Sequence, residues 1–412
     1  MSYTNKLKIF NDPIYGFITI PNTLIYDLIQ HPYFQRLRRI TQMGLSYLVY
    51  PGAHHTRFHH ALGAMHIMQK AVEVLRSKEI LISKEEENAL YVAILLHDIG
   101  HGPFSHAMEH SIVEELNHEQ ISLLFMNKLN EEFGGQLSLA IQVFKGDYHR
   151  KFMLQLISSQ LDMDRMDYLK RDSFYSGVAE GNINSDRLIQ MLNVMDDVLV
   201  MEEKGIYSIE KFLMARRLMY WQAYLHKTSL VAELTLTKAL QRAKELLHKG
   251  IEIECSQPLK YFMEHKVMLK NFSTTDLDTF SQLDDFDIVS ALKNWQYHDD
   301  FILSSLSKMI INRDLSKIKL NSEKFPKEVL EEMTIRFAKD NNITEQEAKY
   351  FIFKGKIKNQ AYSKDAEPIR ILKKDRTIED VVEASDQLNL KALSKPVTKY
   401  FICFPKLLDE KH

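Results

Sequence analysis

The residues best suited to chemistry sit where an apolar run ends. Ala89–Leu96 leads into His97-Asp98-Ile99-Gly100-His101-Gly102-Pro103, with an imidazole beside a carboxylate. His60 lies 37 residues before His97, and Asp164 follows further along the chain. Two imidazole nitrogens and two carboxylate oxygens can close around one divalent metal ion and leave positions open for water and a phosphate oxygen. This donor set suits Mn²⁺, Fe²⁺, Mg²⁺, Co²⁺ or Ni²⁺ better than a closed tetrahedral zinc site. A further Mg²⁺ can accompany a polyphosphate substrate.

Around this core lie groups that could move protons and bind anions. Histidines crowd between His54 and His118, and His101, His106 and His110 follow the His-Asp pair. His118-Glu119 offers an imidazole with an adjacent carboxylate, a candidate general acid. Arg57 precedes His60 by one helical turn and Arg165 follows Asp164 directly, so both belong near the metal. With Arg216 and Lys227 they are candidate phosphate clamps. Tyr168, Asp172 and Tyr224 can hold a sugar and a base.

Helices must position these groups. Ala61, Ala64, Met65, Met68, Ala71, Val72 and Leu75 recur at three and four residues, which predicts a helix over 57–76 with His60 on its inward face. Ser83-Lys84-Glu85-Glu86 is a capping box that starts the helix leading to His97. Leu154, Ile157, Leu161, Asp164, Tyr168 and Asp172 predict one helix over 152–172. A strand or hairpin is predicted over 9–20, then helices from Pro21 to Gln30 and from Phe34 to Ile40. A second hairpin is predicted at 196–208, turning at Lys204-Gly205. Residues 208–248 read as mostly helical, with Arg216, Tyr220, Tyr224 and Lys227 on one face. Beyond about 310, strands at 317–320, 350–357, 368–372 and 398–404 alternate with helices near 326–340, 344–350 and 377–388.

The chain has 412 residues, a net charge of −2 and two cysteines, Cys255 and Cys403, in no metal-binding spacing. The charge does not point to nucleic acid as a partner. The cysteines argue against a disulfide framework. No run approaches membrane-spanning length, and Met1–Lys6 has no apolar signal core. We therefore expect a cytoplasmic protein with no membrane partner.

These motifs resemble a known family. Phe10-Asn11-Asp12-Pro13-Ile14-Tyr15-Gly16, Phe34-Gln35-Arg36-Leu37-Arg38, Gln42-Met43-Gly44, Tyr50-Pro51-Gly52-Ala53 and Arg57-Phe58-His59-His60 stand in order. The segment from His97 to His106, then His118-Glu119, the segment from Asp162 to Asp172, and Ala223-Tyr224-Leu225-His226-Lys227 complete the match over roughly 8–240. The chain resembles HD-domain phosphohydrolases, in the branch of the sterile-alpha-motif/HD dNTP triphosphohydrolases. The resemblance implies a mainly α fold. An all-helical HD core over 1–305 would carry a short N-terminal β hairpin; the strand and helix pattern beyond about 310, outside the matched stretch, reads by itself as a smaller α+β lobe over 306–412.

It also implies roles. His60, His97, Asp98 and Asp164 would hold one divalent metal ion. His101, His118 and Glu119 would be catalytic, with His118 the proton donor. Gln42, Arg57, His106, Arg165, Tyr168, Asp172, Arg216, Tyr224 and Lys227 would contact substrate. Gln42, Tyr168 and Asp172 would face the deoxyribose 3′ side. Lys8, Gln35 and Arg38 match a regulatory nucleotide site, where Gln30 replaces an aspartate that would read guanine. The implied reaction is hydrolysis of dNTPs to deoxynucleoside and inorganic triphosphate by a homo-oligomer, dimer or higher, open to a nucleotide activator. Two alternatives stay open: an HD phosphodiesterase or phosphatase acting on cyclic or signalling nucleotides, and a non-catalytic protein binding nucleotides or single-stranded nucleic acid.

Overall fold

The fold is built around a 21-residue helix, Arg57–Ser77, whose inward positions are almost all buried. In this computed structural model the described residues are 8–104, 107–108, 117–363, 367–386 and 393–411. Small residues Ala61, Gly63, Ala64 and Ala71 let neighbouring helices approach closely. The helix Lys84–Leu96 packs on one side, started by the Ser83/Glu86 capping box. The helix Met163–Ser176 packs on another. His118–Glu132, Ser138–Lys145 and Lys151–Ile157 extend this bundle. Ile206–Met219, Lys227–His248, Asp285–Trp295 and Phe301–Ile311 complete a mainly helical body. Among the described residues no helix is long and apolar enough to cross a membrane.

Among the described residues, three small sheets decorate the helices. Strands β1 (Ile9–Asp12) and β2 (Gly16–Thr19) pair antiparallel, Ile9 opposite Thr19 and Asp12 opposite Gly16. Asp12 Oδ1 accepts from the Ile14 and Tyr15 amides and fixes the turn. β3 (Leu192–Met195) and β4 (Val198–Glu202) are antiparallel, and β4 runs parallel to β7 (Arg370–Leu372), which pairs with β8 (Ile378–Asp380). This sheet joins strands from both sides of residue 306. β5 (Lys317–Asn321), β9 (Val397–Phe404) and β6 (Phe353–Asn359) form a third sheet in that order, antiparallel throughout.

Several elements differ from the sequence-based expectation, each for a local reason. The single helix predicted over 152–172 is two. Asp162 accepts from the Ser159 and Arg165 amides, and so caps a new helix that starts at Met163. The hairpin predicted to turn at Lys204-Gly205 turns instead at Asp196-Asp197, both left-handed with φ of 53° and 56°. Two left-handed residues match the twist of a tight hairpin, and Asp tolerates that conformation without the usual glycine signal. Ile206 then opens a helix. The helix predicted over 208–248 widens into a π turn at Tyr220–Tyr224 and restarts at Lys227, where the His226 ring accepts from the Thr228 amide. The stretch from Phe34 to Ile40 is a short helix, Pro32–Gln35, followed by a 3₁₀ turn, Arg36–Arg39. Ile378–Asp380, predicted helical, is a strand, and helix resumes only at Val381–Ala384.

Gly63 permits a close approach inside this bundle. A Cβ there would lie 2.1 Å from Arg171 Nη2 and 2.1 Å from Asp167 Oδ1. Both partners are fully buried and cannot move aside cheaply. Gly63→Ala is therefore expected to lower stability by about 1–3 kcal/mol, read as a shift of the urea unfolding midpoint. A midpoint equal to the parent protein's would show that the approach is not tight.

Candidate functional site

Three helices converge on one polar cluster in the core. His60 comes from the first turn of Arg57–Ser77, His97 caps Lys84–Leu96, and Asp98 begins the turn after it. Asp164 sits in the first turn of Met163–Ser176. His60 Nε2 lies 3.3 Å from His97 Nε2 and 3.1 Å from Asp164 Oδ1. His97 Nε2 lies 3.4 Å from Asp164 Oδ1 and 3.4 Å from Asp98 Oδ1, and His60 Nε2 lies 3.8 Å from Asp98 Oδ2. Atoms bound about 2.1 Å from a common ion at right angles lie roughly 3 Å apart. The donor set therefore fits a shared divalent cation. His60, His97 and Asp164 form a group able to hold a metal ion, and Asp98, His101 and His118 form an adjoining one.

The second ring nitrogen of each histidine is anchored, which aims Nε2 at the cluster. His60 Nδ1 lies 2.8 Å from Asp167 Oδ2, and His97 Nδ1 lies 2.7 Å from the Ile94 carbonyl. Asp167 accepts from Arg171 through both oxygens, at 2.8 and 2.9 Å, and Arg171 Nη1 reaches Asp12 Oδ2 at 2.7 Å. A buried ionic chain thus runs from the N-terminal hairpin to His60.

The electrostatics follow from this crowding. Burial opposes the charged form of His60, but hydrogen bonds to Asp164 and Asp167 raise its pKa to about 10. Asp98 is buried, yet the neighbouring His97, His101 and Arg57 hold it well below the ordinary carboxylate range. Burial and the Arg57 charge push His101 well below its ordinary value, so its ring is neutral near pH 7.

The loop after Asp98 is pinned by groups that sequence reasoning missed. Arg36, fully buried, donates to the carbonyls of Leu283, Ile99 and His101. Ser122 Oγ donates to the His97 carbonyl at 2.7 Å and accepts from the Gly100 amide at 2.9 Å. A Cβ on Gly100 would lie 2.3 Å from the His118 carbonyl oxygen, so glycine lets that helix approach. The approach stacks the His118 ring on His101, centroids 3.9 Å apart and planes at 13°. Glu119, on the next position of the helix, is exposed.

A cleft of about 330 Å³ opens beside the cluster, lined in part by Gln42, Arg57, Tyr168, Asp172 and Tyr224. Arg57 Nη1 also bonds Asp98 Oδ2. Asp172 lies 2.7 Å from His55 Nε2 through one oxygen and accepts from Tyr224 Oη at 2.7 Å through the other. His55, buried and stacked on Tyr175, is another missed residue, although it lay within the histidine-rich stretch. The side-chain oxygen of Gln42 is buried with no hydrogen-bond partner among the described residues. Arg165 donates to the Ser159 carbonyl at 2.6 Å and pairs with Asp162 at 3.2 Å. Arg216 Nε and Nη1 are buried with no hydrogen-bond partner among the described residues, and the guanidinium lies beside Tyr220, which lines the cleft.

Lys227 does not share a face with these groups, because the helix restarts there. It lines a different cavity, with Arg313, Lys317 and Lys406. At the expected regulatory site, Arg38 donates to Gln35 Oε1 at 2.8 Å and covers the Phe58 ring, while Lys8 lies over Tyr26. His106 lies outside the described residues.

Comparison with known proteins agrees with this architecture. Residues 57–172 match the family model for the HD domain, and 183–256 match the model for the HD associated region. A crystal structure of a phosphohydrolase from Bacteroides thetaiotaomicron superposes with a TM-score of 0.94 at 51% identity, covering 97% of this chain and 100% of that one. The chain belongs to the HD-domain phosphohydrolases. The HD protein is also 37% identical over 327 residues to YwfO of Bacillus subtilis, an uncharacterised protein, covering 76% of this chain and 73% of that one. It is 29% identical over 288 residues to the Dictyostelium discoideum homolog of the deoxynucleoside triphosphate triphosphohydrolase SAMHD1, covering 65% of this chain and 55% of that one.

The anchoring of His60 generates a prediction. Asp167→Asn removes the charge behind the imidazole while keeping its shape. Metal affinity should fall roughly 10–100-fold, measured by competition with a chelator of known affinity. Unchanged affinity would remove Asp167 from any role in holding the ion.

Proposed function

We propose that this HD phosphohydrolase cleaves deoxynucleoside triphosphates to deoxynucleoside and inorganic triphosphate. The observation that carries the reading is Arg216, two of whose guanidinium nitrogens are buried beside the Tyr220 wall of the cleft without a hydrogen-bond partner among the described residues. Buried guanidinium N–H groups without an acceptor are costly unless a ligand supplies one. Arg57, at the junction of cleft and metal cluster, supplies a second positive charge. One arginine lining the cleft and a second beside its Tyr220 wall suit a polyphosphate better than a single phosphate ester.

A divalent ion held by His60, His97, Asp98 and Asp164 would supply Lewis acidity and an acidified water at the α-phosphorus. The chain's own groups do the rest. Arg57 and Arg216 bind the triphosphate and balance its charge as the bond to the 5′-oxygen breaks. His118 protonates that leaving oxygen. His101, neutral and stacked against it, keeps the His118 ring in one plane. Arg165, tied to Asp162 and Ser159, stiffens the start of the helix that presents Asp164. Tyr168 packs against the sugar and leaves no room for a 2′-hydroxyl. Gln42 accepts a hydrogen bond from the 3′-hydroxyl, and His55 and Tyr224 hold Asp172 beside it.

Incubation with each dNTP and Mn²⁺ or Mg²⁺, followed by chromatography, tests the reading. Equal amounts of deoxynucleoside and intact triphosphate are expected. Release of pyrophosphate or orthophosphate, or cleavage of cyclic nucleotides alone, would replace it with another phosphohydrolase activity. His118→Ala should keep its metal and lower kcat by about 10²–10⁴-fold; a rate near that of the parent would move the proton donor elsewhere.

A further inference from the structure

Three of the four cluster residues are held from behind. His60 rests on Asp167, His97 on the Ile94 carbonyl, and Asp98 on Arg57. Asp164 has no such anchor among the described residues, where its carboxylate meets only His60 and His97. Its side chain is also the most exposed of the four, at 27%. The aim of Asp164 therefore depends on the backbone of the helix start that carries it.

That start is set by the joint between the helices Lys151–Ile157 and Met163–Ser176. Inside the joint, the Ser159 amide donates to Asp162 at 2.7 Å, and the Ser159 carbonyl accepts from Arg165 at 2.6 Å. The Leu161 amide donates to Ser159 Oγ at 3.2 Å. Gln160 stands in the middle of this knot and is buried. Its side-chain oxygen accepts from the Ser363 amide at 2.8 Å, and its nitrogen donates to the Ser363 carbonyl at 2.7 Å and the Glu367 carbonyl at 2.6 Å. A carboxamide has two N–H donors, and both are engaged here. The partners stand 203 and 207 residues later in the chain, and all three are main-chain groups.

The far segment is itself tied down. The Ile369 amide donates to the hydroxyl of Tyr362, a buried side chain, at 3.2 Å. Arg370–Leu372 then runs as a strand parallel to Val198–Glu202. The joint is thus fastened on one side to the helix that carries Asp164 and on the other to the C-terminal lobe.

We propose that Gln160 is a positioning residue for Asp164, through which the C-terminal lobe braces the metal centre. The inference rests on the metal reading of the cluster given above. The effect passes through the few backbone units between Gln160 and Asp164, so it falls on ion binding. The neutral amide is essential to it. Glutamate could still accept from the Ser363 amide, but it would face two carbonyl oxygens with a negative charge.

The test is titration of the metal-free, full-length protein with Mn²⁺, the free ion being read by electron paramagnetic resonance. Asp164→Ala should lose the site that the parent shows. Gln160→Met keeps the volume and removes all three hydrogen bonds; it and Gln160→Glu should each weaken Mn²⁺ binding by about 10-fold, the low end of the range for groups behind a metal ligand. Phe337→Leu serves as the stability control, because Phe337 packs on Phe351 within the C-terminal lobe. It should lower the urea unfolding midpoint and leave the Mn²⁺ affinity at the parent's value. If both Gln160 variants bind Mn²⁺ as the parent does, or lose no more affinity than Phe337→Leu, the bracing proposal is overturned and the metal site stands. If Asp164→Ala binds Mn²⁺ as tightly as the parent, the ion is not at this cluster and both readings fall.

Discussion

His60 is the contact on which the rest of the structure depends. Its ring is fully buried, with one nitrogen on Asp167 and the other aimed at His97 and Asp164. Two carboxylates and two imidazoles pressed together in a helical core repel or desolvate one another unless protons or a cation intervene. Without an ion, hydrogen bonds to Asp164 and Asp167 keep His60 protonated. A divalent ion held there would replace that proton with a larger charge, so metal binding and proton release would be linked.

The supporting groups are arranged around that need. Asp167 answers to Arg171, and Arg171 to Asp12 on the first hairpin, so a surface element helps to orient a core ligand. Gly63 leaves room for this chain to pass the central helix. On the other side Gly100 lets His118–Glu132 close on the His-Asp turn, and Ser122 and Arg36 tie that turn down. Groups held this way keep their geometry before a ligand arrives, and such preorganisation is where electrostatic catalysis gains most.

Much of this was legible in the sequence because periodicity and residue type agreed. His60 fell on an apolar helix face, Asp164 on another, and His97-Asp98 at a helix end, and the structure brings all four together. The supporting residues were harder to read. Arg36, Arg171 and Asp167 are charged, and charge ordinarily signals solvent, so their burial depends on partners far away in the chain. Local hydrogen bonds hid other boundaries. Asp162 as an N-cap splits a stretch whose apolar spacing continues through it, and Asp196-Asp197 makes a tight turn without glycine. The π turn at Tyr220–Tyr224 and the restart of the helix at Lys227 break the helical phase, which is why Lys227 leaves the face that carries Arg216. Periodicity counted from a regular helix carries no warning of such a shift.

The central claim is that one ion sits among His60, His97, Asp98 and Asp164. Crystals grown with Mn²⁺ and measured at the manganese absorption edge test it directly. The account predicts an anomalous peak about 2.1 Å from His60 Nε2 and His97 Nε2, the usual distance for a nitrogen ligand, with oxygens of Asp98 and Asp164 completing contact. A peak elsewhere, or none at this cluster in crystals that bind manganese, would contradict it.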